Sequence, residues 1–182
     1  MHSSARRRFG ARAKEEVREK MGRNTSKHEW DHFKTYKQRG EWVELMFMAA
    51  ATLHGYHVLK PWGDSLAYDV GIEQAGRLLR VQVKSSSVRN GTGYFCQFHR
   101  NYEAHTPYSL DDLDLFATYV IPVATWYLIP ASVILLPTVK QGIMVYPVTA
   151  LKQDRYKYEH YRDAWGLLSK SKTDLARTKT HR

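Results

Sequence analysis

A chain of 182 residues and 21.2 kDa fits one domain with flanking segments and excludes a multidomain assembly. Its residues are 43% hydrophobic, 25% charged and 13% aromatic, which excludes disorder throughout, and its single cysteine, Cys96, excludes an intramolecular disulfide framework or a zinc site of paired thiolates. The net charge of +10 is uneven: residues 1–40 hold 12 basic and 5 acidic residues (+7), 41–150 hold 7 and 9 (−2), and 151–182 hold 9 and 4 (+5). Basic flanks around a slightly acidic centre suit a domain whose ends neutralise phosphates, and equally suit a pair of solvated tails.

Residues 1–38 read as a basic N-terminal arm, with a short charged helix over Ala11–Lys20 and polar punctuation from Gly22 to Ser26. No apolar stretch of signal-peptide type follows the early arginines, so a cytoplasmic, nucleoid-associated location is expected. The compact part, residues 39–168, opens with a helix from Gly40. There GEWVELMFMAAATLHG sets Trp42, Leu45, Met46, Ala49 and Leu53 at helical spacing and places Gly55 as the C-terminal cap. A short strand, YHVLKP, stops at Pro61. After the loop WGDSL, the segments AYDVGIE and RLLRVQVK, separated by Gln74-Ala75-Gly76, predict a hairpin.

Ser85–Ser87 and the turn Gly91-Thr92-Gly93 lead into a further strand, GYFCQF. Leu115 to Val139 carries no charge over 25 residues, long enough to span a bilayer. Pro122 and Pro130 interrupt it, and the pieces LFATYVI and TWYLI are rich in β-branched and aromatic residues, so it reads as two buried strands and no membrane segment. IMVY at 143–146 is another short strand. DRYKYEHYRDAWGLL spaces Tyr158, Tyr161, Trp165 and Leu168 for one side of a helix that faces the core. Residues 169–182 form a basic tail. This order of elements predicts an α/β (α+β) domain with a mixed sheet.

Chemistry concentrates on the hairpin. Side chains alternate along a strand, so in Leu79-Arg80-Val81-Gln82-Val83-Lys84 the valines face the core while Arg80, Gln82 and Lys84 share the opposite face. In the preceding strand Asp69, Gly71 and Glu73 alternate with Tyr68, Val70 and Ile72, so Asp69 can share that polar face, with Gly71 leaving room beside it. Glu41 and Glu44 neighbour each other on the long helix. Mg²⁺ prefers oxygen ligands and takes one or two carboxylates, with water and phosphate completing its shell. Asp69 and Glu44 can supply charged oxygens, Gln82 an amide oxygen and Val83 its carbonyl, while Lys84 can reach an attacking water or a phosphate gathering charge. Without further context, solvation is the better explanation for the polar face of a hairpin.

Several features have blander readings. His28-Glu29-Trp30-Asp31-His32 matches HExxH, but its flanks are polar and no downstream histidine completes HExxHxxGxxH, which argues against a zinc protease. Cys96 reads as a small buried hydrophobe, and Asp111, Asp112 and Asp114 as a solvated loop and helix cap. Ser85, Ser86 and Ser87 can donate to a phosphate at the mouth of the site.

The ordered set GxxxE (Gly40–Glu44), GY (Gly55-Tyr56), PxGDxxxYD (Pro61–Asp69) and RVQVK (Arg80–Lys84) resembles the PD-(D/E)XK endonuclease superfamily. It is most similar to the branch with QxK, which includes intron-encoded homing endonucleases, and more distantly resembles archaeal Holliday-junction resolvases. The terminal RYKYEHYRDAWGLL is similar to that branch as well, so the likeness runs from Gly40 to Leu168. The resemblance implies a restriction-endonuclease-like core, with a central mixed β-sheet flanked by helices. It implies a divalent metal, Mg²⁺ with Mn²⁺ as substitute, hydrolysing phosphodiester bonds of double-stranded or branched DNA. It places Glu44, Asp69, Gln82 and the Val83 carbonyl around the metal and gives Lys84 to the nucleophilic water. Arg80, Ser85, Ser86 and Arg89 are the expected DNA contacts. Tyr68 stands where the motif has proline, and Gln82 replaces a carboxylate, removing one negative charge. Cutting both strands with one site per chain implies a homodimer or higher homo-oligomer. The alternative is a DNA-binding protein on the same fold without catalysis.

Overall fold

Strand pairing more than helix packing sets the architecture of the computed structural model, which describes residues 32–100, 107–136, 139, 142–147 and 157–177. The helix expected over Ala11–Lys20 and the HExxH stretch up to Asp31 lie outside these residues.

The long helix α1 spans Tyr36–Leu53 and begins one turn earlier than expected. Its N-cap is Thr35, whose Oγ1 accepts the Gln38 N–H at 3.1 Å. It ends as the glycine led us to expect: Gly55 adopts φ 86, its N–H reaches the Thr52 carbonyl at 2.9 Å, and the Tyr56 N–H reaches the Ala51 carbonyl at 3.1 Å. The buried stripe is different from the expected one. Val43, Phe47 and Ala51 face the core, whereas Leu45 (61% exposed), Ala49 and Leu53 (43% exposed) face outward, and only Trp42 and Met46 of the expected set pack inward. From Leu45 to Leu53 the helix is apolar nearly all round, so spacing alone does not choose a face there. Aromatic partners do: the Phe47 ring lies 5.5 Å from Trp126 and 5.8 Å from Trp165.

Eight strands follow: β1 (His57–Leu59), β2 (Val70–Gln74), β3 (Arg77–Ser86), β4 (Arg89–Asn90), β5 (Gly93–Gln97), β6 (Leu115–Val120), β7 (Thr125–Pro130) and β8 (Gly142–Val145). The main sheet runs β1-β2-β3-β6-β7 and is mixed, with β3 and β6 parallel and the other neighbours antiparallel. A smaller antiparallel sheet runs β4-β5-β8. Register puts Val70, Val81, Val83, Tyr119 and Trp126 on the face that receives α1. The opposite face carries Gln82, Lys84 and Phe116, and there Phe98 and Tyr108 close edge-on over Phe116 at 4.8 and 5.4 Å. The architecture is thus α+β with a central mixed sheet, as expected.

The uncharged run does form two strands. β6 and β7 are buried at every position and are joined by a 3-10 turn, Ile121–Val123, that accommodates Pro122. Among the described residues no helix is long and apolar enough to cross a membrane. The expected C-terminal helix is a correction: the chain makes 3-10 turns at Glu159–Tyr161 and Trp165–Ser169, broken by Asp163 at φ 48. Its apolar side chains still reach the core, since Tyr161, Trp165 and Leu168 are buried. Two short helices, α2 (Ala131–Ile134) and α3 (Lys172–Ala176), complete the described elements.

The β2–β3 hairpin turns through Ala75 and Gly76, both left-handed at φ 53 and 71, the conformation for which Asn-Gly is the favoured pair. Ala75→Asn should therefore stabilise the fold by about 0.5 kcal/mol, read as a small rise in melting temperature.

Candidate active site

β2 begins at Val70, opposite Val81, whereas β3 continues to Ser86, so the last residues of β3 have no partner on β2. Asp69 occupies the gap this leaves. Its N–H donates to the Val81 carbonyl at 3.0 Å, and its Oδ2 accepts the Val83 N–H at 2.8 Å, taking the place a strand carbonyl would hold. The Gln82 amide also donates to Oδ2 and, at 3.3 Å, to the Val83 carbonyl. Glu44 faces the same place from α1. The result is a cleft of about 350 Å³ lined by Glu44, Asp69, Gln82, Val83, Lys84 and Ser85, with Gln97, His99 and Arg100 on its far wall.

The electrostatics of the cleft are opposed rather than uniform. Burial, reinforced by the neighbouring Glu44 carboxylate, pushes Asp69 up to about 6, against the pull of the Val83 N–H, Lys84 and Lys60. Burial pushes Lys84 below its ordinary value, while Asp69 and Glu44 resist that shift. Lys84 is held in place by donating to the His99 carbonyl at 3.0 Å and lying 5.3 Å from the Tyr108 ring centroid. Glu44 is engaged by Lys60, which also donates to the Asp69 carbonyl at 3.1 Å.

Asp69 carries a pH consequence. The folded chain holds this proton more tightly than the unfolded chain does, from the ordinary 3.8 up to about 6. The stabilisation is therefore complete below pH 3.8 and is lost as pH rises through 6. Asp69→Asn keeps an oxygen for the Val83 N–H but carries no charge. It should stabilise the metal-free protein by roughly 2 kcal/mol at pH 7.5 and by much less at pH 4, as thermal melts in EDTA would show.

The structure brings Glu44, Asp69, Gln82, Val83, Lys84 and Ser85 together and sets other candidates apart. Arg80 is bound through its side chain to Asp114, Asp111 and Leu110, away from the cleft. The Ser86 hydroxyl is spent on the Phe95 carbonyl at 2.9 Å, and Arg89 donates to the Gly91 carbonyl at 3.0 Å. The room expected beside Gly71 is filled: a Cβ there would meet Leu78 Cδ1 at 2.8 Å. Asp114 is no solvated loop residue, because its side chain is only 7% exposed and clamps Arg80. Cys96 is buried, with its thiol pushed up to about 12, which suits the small hydrophobe expected and not a nucleophile. Lys60 was not foreseen. Its only local sign is its place between a strand and the PxGD segment.

Two carboxylates and a main-chain carbonyl at one cleft are hard oxygen donors, and among the described residues no group of three or more His, Cys, Asp and Glu gathers as a soft-metal cage would require. That donor set fits a divalent ion of the Mg²⁺ type.

Comparison with known proteins agrees with this reading of the fold. A profile described as PD-(D/E)XK endonuclease matches residues 8–168, and the chain belongs to that family. The fold is similar to that of a bacterial homing endonuclease, I-Ssp6803I, with a TM-score of 0.62 and 28% identity, covering 75% of this chain and 92% of that one. The comparison with curated proteins gave no match.

Proposed function

We propose that the protein is a divalent-metal-dependent endonuclease that hydrolyses phosphodiester bonds of duplex DNA, with Mg²⁺ as its metal and Mn²⁺ able to replace it. The observation that carries this reading is the single cleft shared by Glu44, Asp69, the Val83 carbonyl and Lys84. Family membership and the likeness to a homing endonuclease support it.

In this reading Asp69, Glu44 and the Val83 carbonyl hold the ion. The ion supplies Lewis-acid polarisation of the phosphate and activation of the attacking water. Asp69 is fixed for this task by the Val83 N–H, and Gln82 keeps its carboxylate aimed into the cleft. The Gln82 amide can turn to offer its oxygen as well, because its two ends differ only in which hydrogen bonds they make. Lys84 orients the water or opposes the negative charge that grows on the phosphate. Ser85 and Arg100 line the cleft where the DNA backbone would pass, and the basic segments 1–38 and 169–182 add phosphate contacts. Two chains act together, one site on each strand.

The test is conversion of supercoiled plasmid to nicked and linear forms. Activity with Mg²⁺ or Mn²⁺ that is absent in EDTA supports the proposal; salt-sensitive binding without any cutting would overturn it in favour of a DNA-binding protein.

A further inference from the structure

Lys60 leaves β1 at the edge of the cleft, directly before Pro61, which holds it in extended backbone. Its ammonium makes an ion pair with Glu44 and a hydrogen bond of 3.1 Å to the Asp69 carbonyl, so it bridges the two residues that would hold the metal. The two partners differ in freedom. The Lys60 side chain is 47% exposed and approaches from solvent, whereas Glu44 is 21% exposed and belongs to the cleft wall. Lys60 can therefore swing away at little cost, because a partly exposed ion pair of this kind contributes little to stability.

Charge makes the position of Lys60 consequential. With Gln82 in place of a third carboxylate, the cleft has Glu44 and Asp69 as its anions, against Lys84 and Arg100 in its lining and Lys60 at its edge as cations. An arriving dication meets no net attraction there, and one of its two carboxylates is already occupied. We propose that Lys60 is a built-in competitor of the metal: its ammonium holds Glu44 in the metal-free protein and must release it before the ion binds. This inference rests on the metal-site reading above, and it adds a residue outside the PD…QxK set that sets how tightly the ion is held.

The experiment is titration of the full chain with Mn²⁺ in the absence of DNA, following free Mn²⁺ by electron paramagnetic resonance. The proteins are wild type, Lys60→Met, Lys60→Arg and Asp69→Ala, with thermal melts to confirm folding. Lys60→Gln serves as a smaller replacement if Lys60→Met lowers the melting temperature. The expected result is about tenfold tighter Mn²⁺ binding by the neutral variants, little change in Lys60→Arg, and loss of binding in Asp69→Ala. If wild type binds Mn²⁺ through Asp69 but the neutral variants bind it no more tightly, the inference fails and the metal site stands. A neutral variant that cuts DNA poorly with unchanged Mn²⁺ affinity would make Lys60 a participant in the reaction and overturn its role as competitor. If neither wild type nor the Lys60 variants bind Mn²⁺, both the inference and the metal-site reading fall.

Discussion

Replacing Lys84 with methionine should slow plasmid nicking by about a thousandfold while leaving duplex binding nearly unchanged. Methionine keeps most of the apolar stem and removes the ammonium that donates to the His99 carbonyl and lies 5.3 Å from the Tyr108 ring centroid. The size of the effect follows from where that ammonium sits. Burial already makes its charge costly, as the lowered pKa records, and the carboxylates of Asp69 and Glu44 offset part of that cost. A cation kept in such a place acts strongly on a phosphate that gains negative charge, because little water is present to screen it. Lys84→Arg should not restore the rate, since a planar guanidinium does not fit the path of a single ammonium and does not give up its proton. Single-turnover cleavage and fluorescence anisotropy on the same duplex separate the two outcomes. Equal losses of rate and affinity would make Lys84 an ordinary phosphate contact, and an unchanged rate would remove it from the chemistry.

Local pattern carried the hairpin and much of the cleft. Alternation along Arg80–Lys84, together with Asp69 just before its partner strand, was enough to place Asp69 and Gln82 side by side, because strand periodicity is strict and a two-residue turn fixes register. Where apolar residues surround a helix the same kind of reasoning loses its grip. Leu45 and Phe47 are equally plausible core residues by spacing, and only the rings of Trp126 and Trp165, contributed from far along the chain, decide for Phe47. The C-terminal segment misled in another way. Steps of three and four residues suit an α-helix, but 3-10 turns also bring residues three apart to one side, so the burial of Tyr161, Trp165 and Leu168 was legible while the helix was not. Ion pairs between distant segments leave no periodic trace. Lys60 with Glu44 joins residues 16 apart and Arg80 with Asp114 joins residues 34 apart, and neither partner advertises the other.

That last pair carries the largest stability effect expected of a polar substitution. Asp114→Ala should cost about 3 kcal/mol, lowering the melting temperature by about 10 °C. The Asp114 carboxylate takes the Arg80 backbone N–H at 2.8 Å and Nε at 3.1 Å on one oxygen, and Nη2 at 3.0 Å on the other. Main-chain bonds anchor it at the same junction: its N–H donates to the Arg80 carbonyl at 2.9 Å and its carbonyl accepts the Ala131 N–H at 3.0 Å, tying β3 and β6 to the start of α2. Truncation leaves the Arg80 guanidinium, 20% exposed, with carbonyl partners alone, and strands the Arg80 N–H. Asp114→Asn should cost less, because one oxygen remains to accept. Adding Arg80→Met to Asp114→Leu should recover part of the loss, since the double replacement buries no unmatched charge. The same variants separate a clamp from a DNA contact. At equal folded fraction, Arg80→Met should bind duplex as wild type does and with the same salt dependence, whereas a phosphate contact would reduce the salt slope by about one.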